Sequence, residues 1–216
     1  MTTVIETQFF GPIAAFASLP HSQLLLVERC EHWQKMSYRN RAQVLGQQAV
    51  LNLSIPIVGG RDQRQPIDQM RIDYNGRWKQ EHWRTLESLY NRSPYFEHYA
   101  PALGQLWWQQ PALLIEWNFD LLKWVVQQLR WSGSLRFTDE YQPVYPAETS
   151  LDWRGRFLPK NRLSFSMPAY QQVFGQRFEP NLSILDLLFN AGPHSWHYLL
   201  QLSHTPASWP VNAFNS

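Results

Sequence analysis

The stretch Trp78 to Tyr99, WKQEHWRTLESLYNRSPYFEHY, decides how the rest of the chain is read. Wound at about 3.6 residues per turn, Trp78 to Ser93 puts Trp78, Thr85, Leu86 and Leu89 on one side and Glu81, Arg84, Ser88 and Asn91 on the other. That is a helix with one buried face, and His82 falls within it. Ser93-Pro94 ends the helix, because proline disfavours helical backbone in the residue before it, and Tyr95, Phe96 and Tyr99 follow at once. Asn181 to Pro193, NLSILDLLFNAGP, repeats the arrangement. Pro180-Asn181 offers an N-cap, Gly192-Pro193 a stop, and Leu182, Leu185 and Phe189 an apolar side with Asp186 among them. An imidazole and a carboxylate on buried faces each need a partner, since desolvating an unpaired polar group costs about 1 to 3 kcal/mol or more. Two arrangements supply one. Either both helices face a common interior site, with His82 as base and Asp186 fixing its tautomer, or each group is satisfied locally. In the second case His82 meets a backbone carbonyl and Asp186 meets backbone N–H groups or an arginine.

Towards the N-terminus, Val4 to Gln8 reads as a strand, Ile13 to Leu19 as a short helix and Gln23 to Glu28 as a second strand. The run Leu24-Leu25-Leu26-Val27 fits burial on both faces. This order resembles a parallel crossover, which places the Phe9 to Pro12 loop at the carboxyl end of a sheet, where α/β folds bind ligands. Glu31 to Arg41, EHWQKMSYRNR, mixes Lys35, Arg39, Arg41 and His32 with Trp33, Tyr38 and Asn40. It reads either as a solvated loop or as a site for an anionic or sugar-bearing ligand. Gln43 to Ile57 reads as a hairpin and Ile67 to Tyr74 as a short strand. Beyond the central helix, Pro101 to Trp108 and Pro111 to Trp131 extend a helical block, and Leu135 to Phe137 reads as a strand. Leu151 to Asn161, LDWRGRFLPKN, reads as a basic, turn-rich loop in which Asp152 either pairs with Arg154 or presents it to a ligand. The expected fold is α/β: a single mixed domain over residues 1–204. It has a small central sheet from the N-terminal third, a helical block and a packed C-terminal helix, followed by a C-terminal tail over 205–216.

The 216 residues carry 19 Lys and Arg against 17 Asp and Glu, a formal charge of +2, so no pull towards nucleic acid or acidic membrane is implied. One cysteine, Cys30, rules out an intrachain disulfide framework and a thiolate zinc cluster; it reads as a core thiol in a reducing compartment. Met1 to Phe10 shows no basic-then-apolar leader, and Leu24 to Val27 is too short to span a bilayer, so a cytoplasmic protein is expected. Eleven Trp, 9 Tyr and 12 Phe fit either a well-filled core or a cleft that stacks sugars or bases. His194 and His197 have no third ligand at matching spacing, so neither a metal nor a cofactor is expected. Nucleotide-binding glycine loops, a G-x-S-x-G elbow and HExxH are all absent. An acyl transfer requires none of them, because an acceptor amine or hydroxyl can attack directly, given a base, oxyanion donors and a site that excludes water.

Several motifs occur in an order that resembles the WbqC-like family: WQKMSYRNR at 33–41, the Trp78 to Tyr99 stretch with its SPYFE-x-Y ending, DWR at 152–154, YQQVF at 170–174, and PNLSILDLLFNAGP at 180–193. The resemblance runs from Phe9 to about Pro193, although Phe9-Phe10-Gly11-Pro12-Ile13 departs from the family's usual LP-S-I-x-YF start. It implies a cytoplasmic transferase that moves an acyl or aminoacyl group to an activated amino sugar in surface-polysaccharide (O-antigen) synthesis. The partners would be a small-molecule substrate, such as a nucleotide-activated sugar, and an acyl donor. The family's recurrent polar positions map onto Lys35, Asn40, Arg41, Ser93, Asp152, Arg154, Gln172, Asn181 and Ser183 as substrate-binding candidates, and onto His82 and Asp186 as catalytic ones. The alternative is a non-catalytic protein that binds a glycan or peptide on its aromatic surface.

Overall fold

Two apolar pentapeptides, Thr2–Glu6 (β1) and Leu24–Glu28 (β2), pair in parallel register, Thr2 opposite Leu24 and Glu6 opposite Glu28. Their burial on both faces is what an interior parallel pair requires. In the computed structural model, which describes residues 1–174 and 177–204, they form the centre of a four-stranded all-parallel sheet. Ser134–Phe137 (β5) adds on the β2 side and Ser150–Asp152 (β6) on the β1 side, giving the order β5-β2-β1-β6. The β1–β2 crossover runs through two short 3-10 turns, Ile13–Phe16 and Leu19–His21, instead of the single short helix expected.

The hairpin expected at 43–57 is present as Arg41–Leu45 (β3) and Val50–Ser54 (β4), an antiparallel pair separate from the main sheet. Trp78–Tyr90 (α1), Phe96–Trp107 (α2) and Leu114–Gln128 (α3) form the helical block. Leu122 and Val125 of α3 line a small interior cavity together with Ile5 and Leu25 of the sheet. Ile184–Ala191 (α4) is buried on nearly every residue, between α2, β3 and Ser195–Ser203 (α5). The aromatic excess fills this interior: Trp107, Trp117, Tyr38, Tyr90, Phe9 and Phe189 are fully buried.

The mixed α/β fold with a packed C-terminal helix is as expected, and several local expectations are corrected. The sheet does not come from the N-terminal third alone, since β5 and β6 close its two edges from far along the chain. Ile67–Tyr74 is not a strand; a 3-10 turn at Ile67–Gln69 is followed by isolated bridges of Arg71 to Leu113 and Ile72 to Ile57. The alternating apolar residues Met70 and Ile72 are nonetheless buried, because a bridged loop can present alternate residues to a core. Leu151–Asn161 opens with β6 and is not loop throughout. The cap of α4 is Ser183, whose Oγ accepts from Leu185 N, instead of Asn181. The expected tail at 205–216 lies outside the described residues.

Candidate functional site

Parallel pairing delivers the last residues of several strands to one edge, so polar residues there converge whatever their distance in sequence. Glu6 ends β1, Glu28 ends β2 in register with it, and Asp152 ends β6. Glu6 and Glu28 are wholly buried. Glu28 Oε1 accepts from Thr138 Oγ1 (2.7 Å) and Cys30 N (2.8 Å), and Oε2 accepts from Arg154 Nη1 (2.9 Å). Glu6 accepts from Gln8 Nε2 (3.0 Å) and Gly155 N (2.9 Å). Arg154 also grips Asp152 through Nε (2.9 Å) and Nη2 (2.6 Å), and donates to Gln142 O (2.8 Å). Arg39 forms a second fork on Glu31, at 2.9 and 2.6 Å, and reaches Gln34 Oε1 at 3.0 Å. Buried charges persist only when paired and hydrogen-bonded in this way.

Above these groups lies an open cleft of about 730 Å³, lined by Cys30, Glu31, His32, Gln34, Arg39, Tyr141, Pro143, Asp152 and Arg154. The lining pairs two carboxylates, Glu31 and Asp152, with two guanidiniums, Arg39 and Arg154, and two further carboxylates, Glu6 and Glu28, lie wholly buried beneath it. Their field reaches Glu31. Burial holds its carboxyl above the usual range and the charges of Glu6 and Glu28 add to that, against the lowering pull of Arg39. At Arg154 the balance runs the other way, with hydrogen bonds to Asp152 and the charges of Asp152 and Glu28 outweighing burial and keeping the guanidinium firmly charged.

Of the substrate-binding and catalytic candidates named from sequence, Asp152 and Arg154 reach this cleft, and His32 and Arg39 of the Glu31 to Arg41 stretch line it with them. Lys35 stands outside it in an exposed pair with Asp62. Asn40 Nδ2 donates to Ile55 O, while Arg41 Nε is buried with no hydrogen-bond partner among the described residues. Ser93 Oγ donates to Tyr90 O past the end of α1. Asn181 Oδ1 accepts from Ala14 N, and Ser183 Oγ donates to Phe10 O. These two bonds seal the Phe9–Pro12 loop under the start of α4, so the loop lies at the carboxyl end of the sheet but is buried. Cys30, expected in the core, is half-buried and lines the cleft.

Asp186 and His82 sit apart from the cleft lining. Asp186 is fully buried, with Oδ1 accepting from Tyr90 Oη (2.8 Å) and Oδ2 from Tyr170 Oη (2.5 Å) and Gln172 Nε2 (3.0 Å). Burial raises its carboxyl, and the three donors pull it back. The two helices do meet, but through Tyr90, two turns beyond His82. The His82 ring packs against Trp78 and Trp107, its Nδ1 is buried with no hydrogen-bond partner among the described residues, and burial lowers it to about 4. One turn earlier Lys79 lies over the Tyr74 and Trp117 rings and donates to Gln109 O just past α2, with its ammonium held down at about 8 by burial.

The WbqC-like protein family matches residues 8–153 and 161–198, which takes in β2 to β6, the helical block, α4 and the fork of Arg39 on Glu31, while Arg154 falls between the two matched segments. The chain belongs to the WbqC-like protein family. A relative is the uncharacterized protein Rv1507c of Mycobacterium tuberculosis, 26% identical over 193 residues, covering 76% of this chain and 82% of that one. No solved structure matches. Among the described residues no helix is long and apolar enough to cross a membrane, and no group of three or more His, Cys, Asp or Glu is arranged to hold a metal ion.

In this WbqC-like chain, sequence reading missed Glu6, Glu28 and Glu31. The available signal was an acidic residue closing each of two apolar strands, Val-Ile-Glu at 4–6 and Leu-Val-Glu at 26–28. A charge at the end of a buried parallel strand points to the face where such sheets bind ligands.

Proposed function

We propose that the cleft is the site of an acyl or aminoacyl transfer to the amine of an activated amino sugar, in the synthesis of a surface polysaccharide. The observation that carries this is the pair of carboxylates, Glu31 and Asp152, that line the cleft at the carboxyl edge of the parallel sheet, each held in place by a guanidinium. Oriented carboxylates suit a ligand bearing an ammonium group, and a volume of about 730 Å³ accommodates a sugar with part of its donor. Arg39 and Arg154 are already forked onto carboxylates, so they serve better as fixed scaffolding than as grips for a second anion. In this reading Glu31 takes a proton from the sugar ammonium. The freed amine attacks the acyl carbonyl carbon and forms the C–N bond. The bond to the donor's leaving group then breaks, and that group departs with the electron pair and a proton. Asp152 orients the amine while Arg154 holds Asp152 in place. His82, packed against two indoles, has no step in this scheme, and Asp186 positions the chain around Tyr170.

The test incubates the protein with a nucleotide-activated amino sugar and a panel of acyl thioesters and aminoacyl donors, and follows the amide product by mass spectrometry. Product that disappears in Glu31→Gln, with binding of the sugar retained, supports the transfer. Sugar binding without turnover across the panel replaces it with the non-catalytic glycan-binding reading.

A further inference from the structure

The loop between β5 and β6 forms one wall of the cleft, and most of its residues are exposed. Among the described residues, its hydrogen bonds to the body of the protein between Asp139 and Tyr145 are the one from Arg154 Nη2 to Gln142 O and a long contact of Cys30 Sγ with Asp139 O (3.7 Å). What else holds this stretch is the Arg154 guanidinium, whose Cζ lies 5.1 Å from the Tyr141 ring centre and 5.0 Å from that of Tyr145. Arg154 is itself locked by Asp152 and Glu28. The ring of Tyr141 therefore rests against a guanidinium that a buried ion-pair network holds in place, although the residue is 53% exposed. Most aromatic rings of the chain are spent on the core, but this one stands on the wall of a polar cleft.

We propose that Tyr141, backed by Arg154, is the stacking wall for a pyranose ring in the cleft, and so determines specificity for a cyclic amino sugar over an open-chain amine. A sugar ring presents an apolar face of C–H groups between its hydroxyls, and an aromatic ring covers that face with little loss of side-chain entropy. The carboxylates recognise the ammonium; Tyr141 recognises the ring that carries it. This rests on the reading of the cleft as an amino-sugar site.

The chain's single cysteine, Cys30, lines the same cleft, so its rate of alkylation by iodoacetamide reports occupancy. Protection is titrated with glucosamine and with ethanolamine, which carries an ammonium but no ring. Expected is protection of the wild type by both, a loss of about fivefold in glucosamine affinity in Tyr141→Ala with ethanolamine unchanged, and retention of glucosamine affinity in Tyr141→Phe. Equal glucosamine affinity in wild type and Tyr141→Ala overturns the stacking role and leaves the amine site standing. A parallel loss for both amines also overturns it, since the ring would then not be what Tyr141 reads. Absence of protection of the wild type by either amine overturns the amine site and the stacking role together.

Discussion

Acid destabilisation through His82 is a sharp consequence of this fold. The imidazole has an ordinary value of 6.5 and is held at about 4 in the folded protein by burial against Trp78 and Trp107. The folded state thus keeps the ring neutral where the unfolded chain takes up a proton. Stability is fully present above 6.5 and is lost as the pH falls from there through about 4, at roughly 1.4 kcal/mol per pH unit. Near pH 4.5 the whole effect would reach about 2.5 kcal/mol; the ring is partly exposed, and solvent screening reduces this to about 1.5 kcal/mol. Urea unfolding of wild type and His82→Gln, at intervals from about pH 7.5 to 4.5, isolates this part, because the buried carboxylates titrate alike in both proteins. The wild type should lose about 1.5 kcal/mol more than the variant across that range. A gap between the two that stays constant within about 0.5 kcal/mol would refute the burial argument.

Asp186→Asn turns an amide N–H₂ onto Tyr90, Tyr170 or Gln172 in a site with no water access, and should cost about 3 kcal/mol in chemical denaturation; a cost below about 1 kcal/mol would mean the cage relaxes freely. Ser183→Ala removes both the cap on Leu185 N and the bond to Phe10 O, with an expected loss of about 1 kcal/mol by the same measurement. Lys79 has an ordinary value of 10.5 and sits at about 8 when folded, so the wild type should gain stability relative to Lys79→Met as the pH goes from 8 towards 10.5, the buried tyrosines titrating alike in both; parallel curves would exclude burial as the cause.

The residues around Trp78 and around Asp186 declared their helices in sequence, because apolar spacing and the stops at Ser93-Pro94 and Gly192-Pro193 act within a few residues. The parallel pairing of β1 with β2 and the hairpin of β3 with β4 were legible for the same reason, as was the inward aim of Asp186. Its partners were not. Tyr90 meets it because α1 and α4 pack, and Tyr170 and Gln172 because an irregular segment folds back over α4. Asp152 and Arg154 were identified as candidates, yet their neighbours Glu6 and Glu28 come from strands more than a hundred residues earlier. Local sequence determined which segments are helical, which are extended and which polar residues face inward, since those depend on periodicity and turn chemistry. Only tertiary structure decided that β5 and β6 flank the first two strands and that Glu6, Glu28, Glu31, Asp152, Arg39 and Arg154 share one edge, because lateral pairing of parallel strands is a long-range choice that no local pattern encodes.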